Sequence, residues 1–218
     1  MNLNLHQVSV MNDRLTQFLN SRTALTIVLT LFALPFIIEL FNQPWTHRQY
    51  NHFLRDTGEW SARLLIVTLL ISPLRLLFKK NQFLCWMNRQ KRVFGIFTFV
   101  YSSIHLAGYF VENSSVSAVI ADLTEPMVLF GWIAFLIFIP LAVTSNNASI
   151  RLLKGKNWKN MQRAVYIAAV FILLHWLWGE RHLHWIPVLI HFTPLAVLEG
   201  YRIWNYLNRH SYRRAVPA

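Results

Sequence analysis

The amino-acid sequence predicts an all-α polytopic membrane protein in which six transmembrane helices form one bundle. Of the 218 residues, 55% are hydrophobic and only 14% are charged, which is the composition of an integral membrane protein. The few charges gather between long apolar runs. Most of six such runs approach the roughly 20 residues that a helix needs to cross a bilayer.

The six predicted spans follow one another with short connections. The first two are separated by a polar segment, the second and third by a basic one, and the fourth and fifth by another basic one. The fifth is short unless it begins near Gln162. In chain order the spans are 24–41, 60–78, 93–111, 127–144, 164–178 and 185–204. We therefore expect one membrane domain, residues 24–204, between tails formed by residues 1–23 and 205–218.

Positive charge is distributed unevenly along this six-span path. Most of the 21 Lys and Arg residues fall on one side, in segments 79–92 and 151–163 and in the two tails, whereas most acidic residues fall on the other. The positive-inside rule then predicts that both termini are cytoplasmic. Because the net charge of +12 is arranged around apolar spans, it indicates orientation in a lipid membrane rather than binding of nucleic acid.

Two kinds of site are excluded by what the sequence lacks. Cys85 is the single cysteine, and one thiol forms neither an intrachain disulfide nor the thiolate cluster of a zinc or iron–sulfur centre. There is also no glycine-rich dinucleotide loop between a strand and a helix. Any electrons that this chain carries must therefore come from another molecule.

Two histidines lie inside predicted spans at matching depth. His105 is 12 residues after Val93, and His175 is 11 residues after Ala164, at the start of spans that enter from the same side. A helix rises about 1.5 Å per residue, so both imidazoles lie roughly 17 to 18 Å into the membrane. Two facing imidazoles are the axial pair of a b-type haem, which a helical bundle commonly holds between its helices. A histidine that only bonds a neighbouring helix is the competing interpretation.

Two further polar residues accompany this pair. Arg63, near the outer end of the second span, could pair with a haem propionate or extend its guanidinium to the interface. His191, near the outer end of the sixth span, is a candidate for a hydrogen-bond donor, a quinone contact or an ordinary interfacial side chain. Five other histidines fall in predicted outer loops or in the C-terminal tail, where we expect them to be exposed. They are His47, His52, His182, His184 and His210.

Four segments resemble a known family in both wording and order: WSARLLIVTLLISPLRLL, KRVFGIFTFVYSSIHLAGYF, EPMVLFGWIAFLIFIPLAVTS and GKNWKNMQRAVYIAAVFILLHWLW. They are similar to the haem-binding membrane subunits of bacterial periplasmic methionine-sulfoxide reductase systems, which are members of the ferric-reductase-like transmembrane family. The resemblance covers about residues 58–178 and is looser through the sixth span. On this resemblance His105 and His175 match the family's haem ligands.

The resemblance implies an inner-membrane protein that passes electrons through a b-type haem to a periplasmic molybdopterin enzyme that reduces oxidised methionine. Electrons in the family come from quinol or from a cytoplasmic flavin reductase, and some members bind flavin mononucleotide (FMN). The chain departs from the family pattern at Gln162, where a histidine is usual. An amide is a weak iron ligand, so we expect one haem per chain, with Gln162 at most a hydrogen-bond partner for quinone or flavin.

Three other functions remain open from the sequence. A divergent relative could serve another acceptor, such as ferric iron. A proton-coupled transporter could use His105, His175 and His191 as a relay, although Glu39 and Glu199 lie at span ends rather than beside these histidines. A non-catalytic anchor subunit would contain the histidines incidentally. Sharp haem bands in an absorption spectrum are required only by the electron-carrier functions.

Overall fold

The computed structural model describes residues 21–42, 44–113, 115–179 and 185–215, with side chains described as far as residue 208. These residues form nine helices and no strand, as the predicted all-α class requires. The helices are α1 (Arg22–Phe41), α2 (His47–Leu77), α3 (Gln82–Glu112), α4 (Val116–Asp122), α5 (Pro126–Val143), α6 (Asn147–Leu152), α7 (Gly155–Gln162), α8 (Val165–Gly179) and α9 (Trp185–Ala215).

Five helical stretches of the described residues are long and apolar enough to cross a membrane. They are α1, α2, α3, α5 and the stretch Gly155–Gly179 that contains α7 and α8. Each corresponds to one of the first five predicted spans. The sixth, 185–204, forms the first part of α9, which is not one of those five stretches. The described part of the protein is therefore all-helical, and the protein crosses the membrane several times.

The second helix begins much earlier than the sequence predicted. Thr46 and Gln49 form a capping box that satisfies free amide groups at the start of α2. The prediction that His47 and His52 lie in a loop was wrong, because both are on α2, although both are exposed as expected. At the other end of the chain, α9 continues to Ala215 through most of the predicted tail. Of the predicted N-terminal tail, residues 1–23, the first 20 residues lie outside the described part of the chain.

The fifth span is divided by a tight turn between α7 and α8. The amide of Arg163 donates to the carbonyl of Asn160, and that of Ala164 donates to Met161, both across three residues. Such short-range bonds are typical of 3₁₀ geometry and tighten the backbone relative to an α-helix. Gln162 and His175 are therefore not on one straight helix.

The bundle is built from two closely packed helix pairs. Helix α2 packs along α3, and α5 packs along α8; α1 lies against α3, while α9 lies against α2 and α8. One buried cluster joins α1, α2 and α3 and includes Ala33, Phe53 and Tyr101. A second joins α2, α5, α8 and α9 and includes Ala168 and Val188. His105 of one pair and His175 of the other lie in contact where the two pairs face each other.

Candidate functional site between two helix pairs

The structure brings His105 of α3 and His175 of α8 together. Their ring centres are 6.1 Å apart, and the ring planes are nearly perpendicular, at 88°. The two residues are 70 positions apart in the chain, so only the packing of the two helix pairs places them side by side. The matching depth that the sequence predicted agrees with this contact.

The imidazole of His105 is held by α2. Its Nδ1 lies 2.9 Å from the carbonyl oxygen of Leu54, which only accepts hydrogen bonds, so Nδ1 carries the proton and donates. Thr57 lies beside it, with its hydroxyl oxygen 3.3 Å from the same nitrogen. That hydroxyl donates to the carbonyl of Phe53 at 2.6 Å and therefore has a lone pair available for His105. The Nε2 atom of His105 is the ring's acceptor nitrogen.

The imidazole of His175 is held in the same way by α5. Its Nδ1 donates to the carbonyl oxygen of Met127 at 2.7 Å. A histidine that binds a metal commonly uses its other ring nitrogen for such a bond, which fixes the tautomer and the ring orientation. Both histidines of the pair therefore offer Nε2 as a neutral ligand.

The separation of the two rings suits one metal ion between them. An imidazole nitrogen binds a transition metal at about 2 Å, and the ring centre lies roughly 1 Å behind it, so two rings on opposite sides of one ion have centres roughly 6 Å apart. The observed 6.1 Å agrees with that value. Two such ligands can occupy the axial positions of an iron whose other four ligands come from a macrocycle.

A cavity of about 400 Å³ lies at the two histidines. Its wall comes from α2, α3, α5 and α8, and most of it is apolar, including Leu106, Trp132 and Phe135. A volume of this size is within the range of pockets that hold small molecules and cofactors. Arg55 is the cationic side chain in the described part of the wall.

Arg63 lies outside the described cavity wall but is connected to it. Its guanidinium pairs with the carboxylate of Glu59, which lines the cavity, and its Nε donates to Nε2 of His191 at 3.3 Å. His191 donates from Nδ1 to the carbonyl of Pro187 at 2.6 Å. Both ring nitrogens of His191 are thus engaged in hydrogen bonds within the protein.

His191 also makes an aromatic contact with the cavity wall. Its ring centre is 5.3 Å from that of Trp176, which is one of the residues that line the cavity. The sequence placed Arg63 and His191 near the pair but gave no indication that they contact each other. Of the other histidines, His182 and His184 lie outside the described residues, and the side chain of His210 is likewise not described.

Gln162 is not part of this cavity. Its Nε2 donates to the carbonyl oxygen of Leu141 at 3.1 Å and contacts the hydroxyl oxygen of Thr144 at 3.3 Å. The indole of Trp158 donates to the carbonyl of Thr144 at 3.0 Å. These bonds connect α7 to the C-terminal end of α5, which gives the Gln162 amide a structural role.

Two glycines beside the histidines were missed by the sequence analysis. A Cβ added to Gly58 would lie 3.2 Å from the ring of His105, and one added to Gly131 would lie 2.8 Å from Nδ1 of His175. Each glycine follows the carbonyl that accepts from the same histidine by four residues: Leu54 with Gly58, and Met127 with Gly131. A large apolar residue followed four positions later by glycine was the available signal, but it is too common to identify a site.

Comparisons with known proteins agree with this architecture. The ferric reductase like transmembrane component family matches residues 57–173, more than half of the chain. That region contains His105, Gly58 and Gly131 and ends two residues before His175. No solved structure matches the chain significantly.

Several similar proteins are heme-binding subunits named MsrQ of protein-methionine-sulfoxide reductase. The one from Ralstonia nicotianae is 35% identical over 154 residues, which are 69% of this chain and 69% of that protein. The one from Azospira oryzae is 32% identical over 84% of this chain and 78% of its own length. The one from Herminiimonas arsenicoxydans is 35% identical over 71% and 72%, respectively. With matches of this extent, the chain belongs to the ferric-reductase-like transmembrane family and, within it, to the MsrQ group of heme-binding subunits.

Proposed function

We propose that this protein binds one b-type haem between His105 and His175 and carries electrons across the membrane. The observation that carries the proposal is the 6.1 Å separation of two imidazoles, each of which donates from Nδ1 to a backbone carbonyl of the neighbouring helix. This arrangement leaves one Nε2 on each helix pair for the same iron. The printed names of the MsrQ relatives also specify heme binding.

The residues of the cavity have distinct parts in this function. His105 and His175 would hold the haem, which would supply reversible one-electron transfer and, with both histidines bound to its iron, would not readily bind oxygen. Trp132 and Phe135 provide apolar wall that excludes water. Arg55 supplies positive charge for an acidic group of the bound cofactor, a part that the sequence analysis gave to Arg63.

The remaining features of the proposal concern the route of the electrons. We place six spans in a bacterial inner membrane with both termini in the cytoplasm, because the basic segments fall on one side of the six-span path. Quinol or reduced flavin, with FMN as a candidate, delivers electrons from the cytoplasmic half. A periplasmic molybdopterin enzyme that reduces methionine sulfoxide accepts them, in keeping with the system named for the relatives.

A reduced-minus-oxidised absorption spectrum of the purified protein tests the proposal. We expect sharp bands of six-coordinate haem that appear with dithionite and disappear on reoxidation. Each methionine sulfoxide takes up two electrons and two protons and releases water, so the acceptor is identified when the purified periplasmic enzyme with excess methionine sulfoxide reoxidises two haems per sulfoxide reduced. The enzyme without sulfoxide accepts only the electrons that its own cofactor can hold. Reoxidation by ferric chelates alone instead favours the ferric-iron alternative.

A spectrum without haem bands in protein isolated from haem-supplemented cells contradicts the electron-carrier function. The proton-coupled transporter is then the second candidate, since Glu59, Arg63 and His191 form a connected polar group beside the cavity. This group supplies the acidic partner that the sequence did not place near the histidines. Proton uptake by vesicles that contain the protein distinguishes that function from a passive anchor.

A further inference from the structure

Each histidine of the pair packs against a glycine of the adjacent helix. A Cβ on Gly131 would lie 2.8 Å from Nδ1 and 3.0 Å from Cε1 of His175, and a Cβ on Gly58 would lie 3.2 Å from the same two atoms of His105. The backbone of neither glycine has a positive φ angle. Space for the imidazole, rather than an unusual backbone conformation, is therefore what these two positions require.

The carbonyl that each imidazole reaches lies one helical turn before the glycine. In an α-helix the carbonyl of residue i points toward the amide of residue i+4, so a side chain at i+4 stands close to that carbonyl. Glycine leaves the carbonyl open to a second donor. The pairs Leu54 with Gly58 and Met127 with Gly131 both have this spacing, and both carbonyls accept from Nδ1 of a histidine.

We infer that Gly58 and Gly131 are positioning residues for the two haem ligands, an inference that rests on the proposed function. Each glycine lets one imidazole enter the groove of its neighbouring helix and donate from Nδ1. That bond fixes the tautomer and directs Nε2 toward the iron. Because the arrangement occurs once in each helix pair, the two pairs present equivalent ligands from opposite sides.

The distances predict that the two positions differ in tolerance. The contact at Gly131 is below 3.0 Å, so an alanine there forces His175 to move. The contact at Gly58 is 3.2 Å, so an alanine there requires a displacement of a few tenths of an ångström. Gly131→Ala is therefore expected to be the more damaging variant and Gly58→Ala the milder one.

The chain offers two matched controls in α3. A Cβ on Gly95 would only reach Thr68 Cγ2 at 4.0 Å, so Gly95→Ala adds a methyl group within a membrane helix without a clash. A Cβ on Gly108 would lie 2.4 Å from Phe53 Cε1 and 3.3 Å from Leu54 Cδ2, so Gly108→Ala disturbs packing against the residue that accepts from His105 without contacting the imidazole itself. The first control measures the effect of the substitution itself, and the second measures the effect of a packing defect.

The test compares purified wild type and the four variants by haem content per chain, midpoint potential and the electron paramagnetic resonance of the ferric form. We expect Gly131→Ala to lose at least about tenfold in haem affinity, as changes around metal-bound histidines commonly do. Gly58→Ala keeps haem with a shifted potential and resonance, and Gly95→Ala matches the wild type. Gly108→Ala lowers thermal stability and changes the resonance of bound haem less than Gly131→Ala does, because its added methyl group contacts Phe53 and Leu54 and not an imidazole.

A second measurement does not depend on haem. Nitrogen-15 spectra of histidine-labelled, haem-free protein are expected to show the Nδ1-protonated tautomer for His105 and His175 in the wild type, and a mixture for the affected ring in each glycine variant. The inference is overturned if haem-loaded wild type and both Gly58→Ala and Gly131→Ala have the same haem content, potential and resonance. Absence of haem from the wild type itself overturns the proposed function instead.

Discussion

Arg63 of α2 donates from Nε to Nε2 of His191 in α9 at 3.3 Å, although 128 positions separate them in the chain. The same guanidinium pairs with Glu59, which lines the cavity. Arg63 is thus connected to the cavity through Glu59, whereas Arg55 is in the cavity wall. The two arginines make a matched pair for separating an indirect electrostatic role from direct cofactor contact.

We predict that Arg63→Gln keeps its haem and has a lower midpoint potential. Loss of the guanidinium leaves the carboxylate of Glu59 without its partner beside the cavity, and negative charge favours ferric over ferrous iron. The Arg63 side chain is 39% exposed, so solvent screens the uncompensated charge and the shift is small. A redox titration of the bound haem measures it.

Arg55→Gln is expected to behave differently, because Arg55 is the cation in the described cavity wall. We expect weaker haem retention during purification. We also expect this loss to change little when Glu59 is substituted as well. Haem per chain, measured after detergent washing, compares the two variants. Haem loss in Arg63→Gln with full retention in Arg55→Gln would restore the assignment of the propionate to Arg63 that the sequence suggested.

Alanine substitution of either histidine of the pair is predicted to abolish haem retention. The haem would lose one of its two protein ligands, and no other histidine of the described residues lines the cavity. His52→Ala is the matched control, since His52 is exposed on α2 and is not part of the cavity wall. Haem extraction with quantification against protein gives the ratio. Full occupancy in His105→Ala or His175→Ala means that the ligands are wrongly assigned.

One haem per chain is predicted for fully loaded wild type. Gln162 donates to Leu141 and contacts Thr144, so its amide secures α7 to α5 and supplies no second imidazole. Gln162→Ala should keep the same haem ratio and lose about 1 kcal/mol of stability, the typical net value of a hydrogen bond. Two haems in the wild type would refute this prediction. A gain in Gln162→His would show that this position limits the number of haems.

The cytoplasmic orientation of the segment around Cys85 is testable with a membrane-impermeant thiol reagent. Cys85 is a free, half-buried cysteine in α3 and the single thiol of the chain. We expect no labelling in intact cells and labelling after lysis, with a denatured sample as the control for access to the thiol. Strong modification before lysis would reverse the topology, because all the basic segments would then face outward.

The sequence by itself determined the all-α membrane class and the shared depth of His105 and His175. Both follow from local properties, since a run of apolar side chains specifies a membrane helix and a fixed rise per residue specifies depth along it. The sequence also identified Arg63 and His191 as polar residues near this depth. The apolar runs around these two residues in the sequence were enough for that prediction.

Only the tertiary structure decided which atoms meet. The rotation of each helix about its axis and its distance from its neighbours are set by packing between residues that are far apart in the chain. That packing places Gly58 against His105, Gly131 against His175 and Arg63 against His191. The packing also brings Gln162 to the end of α5, because the tight turn after α7 gives α7 and α8 different directions. A hydrogen bond to a backbone carbonyl depends on such contacts. Because every residue type has a backbone carbonyl, the sequence does not indicate which one accepts the bond.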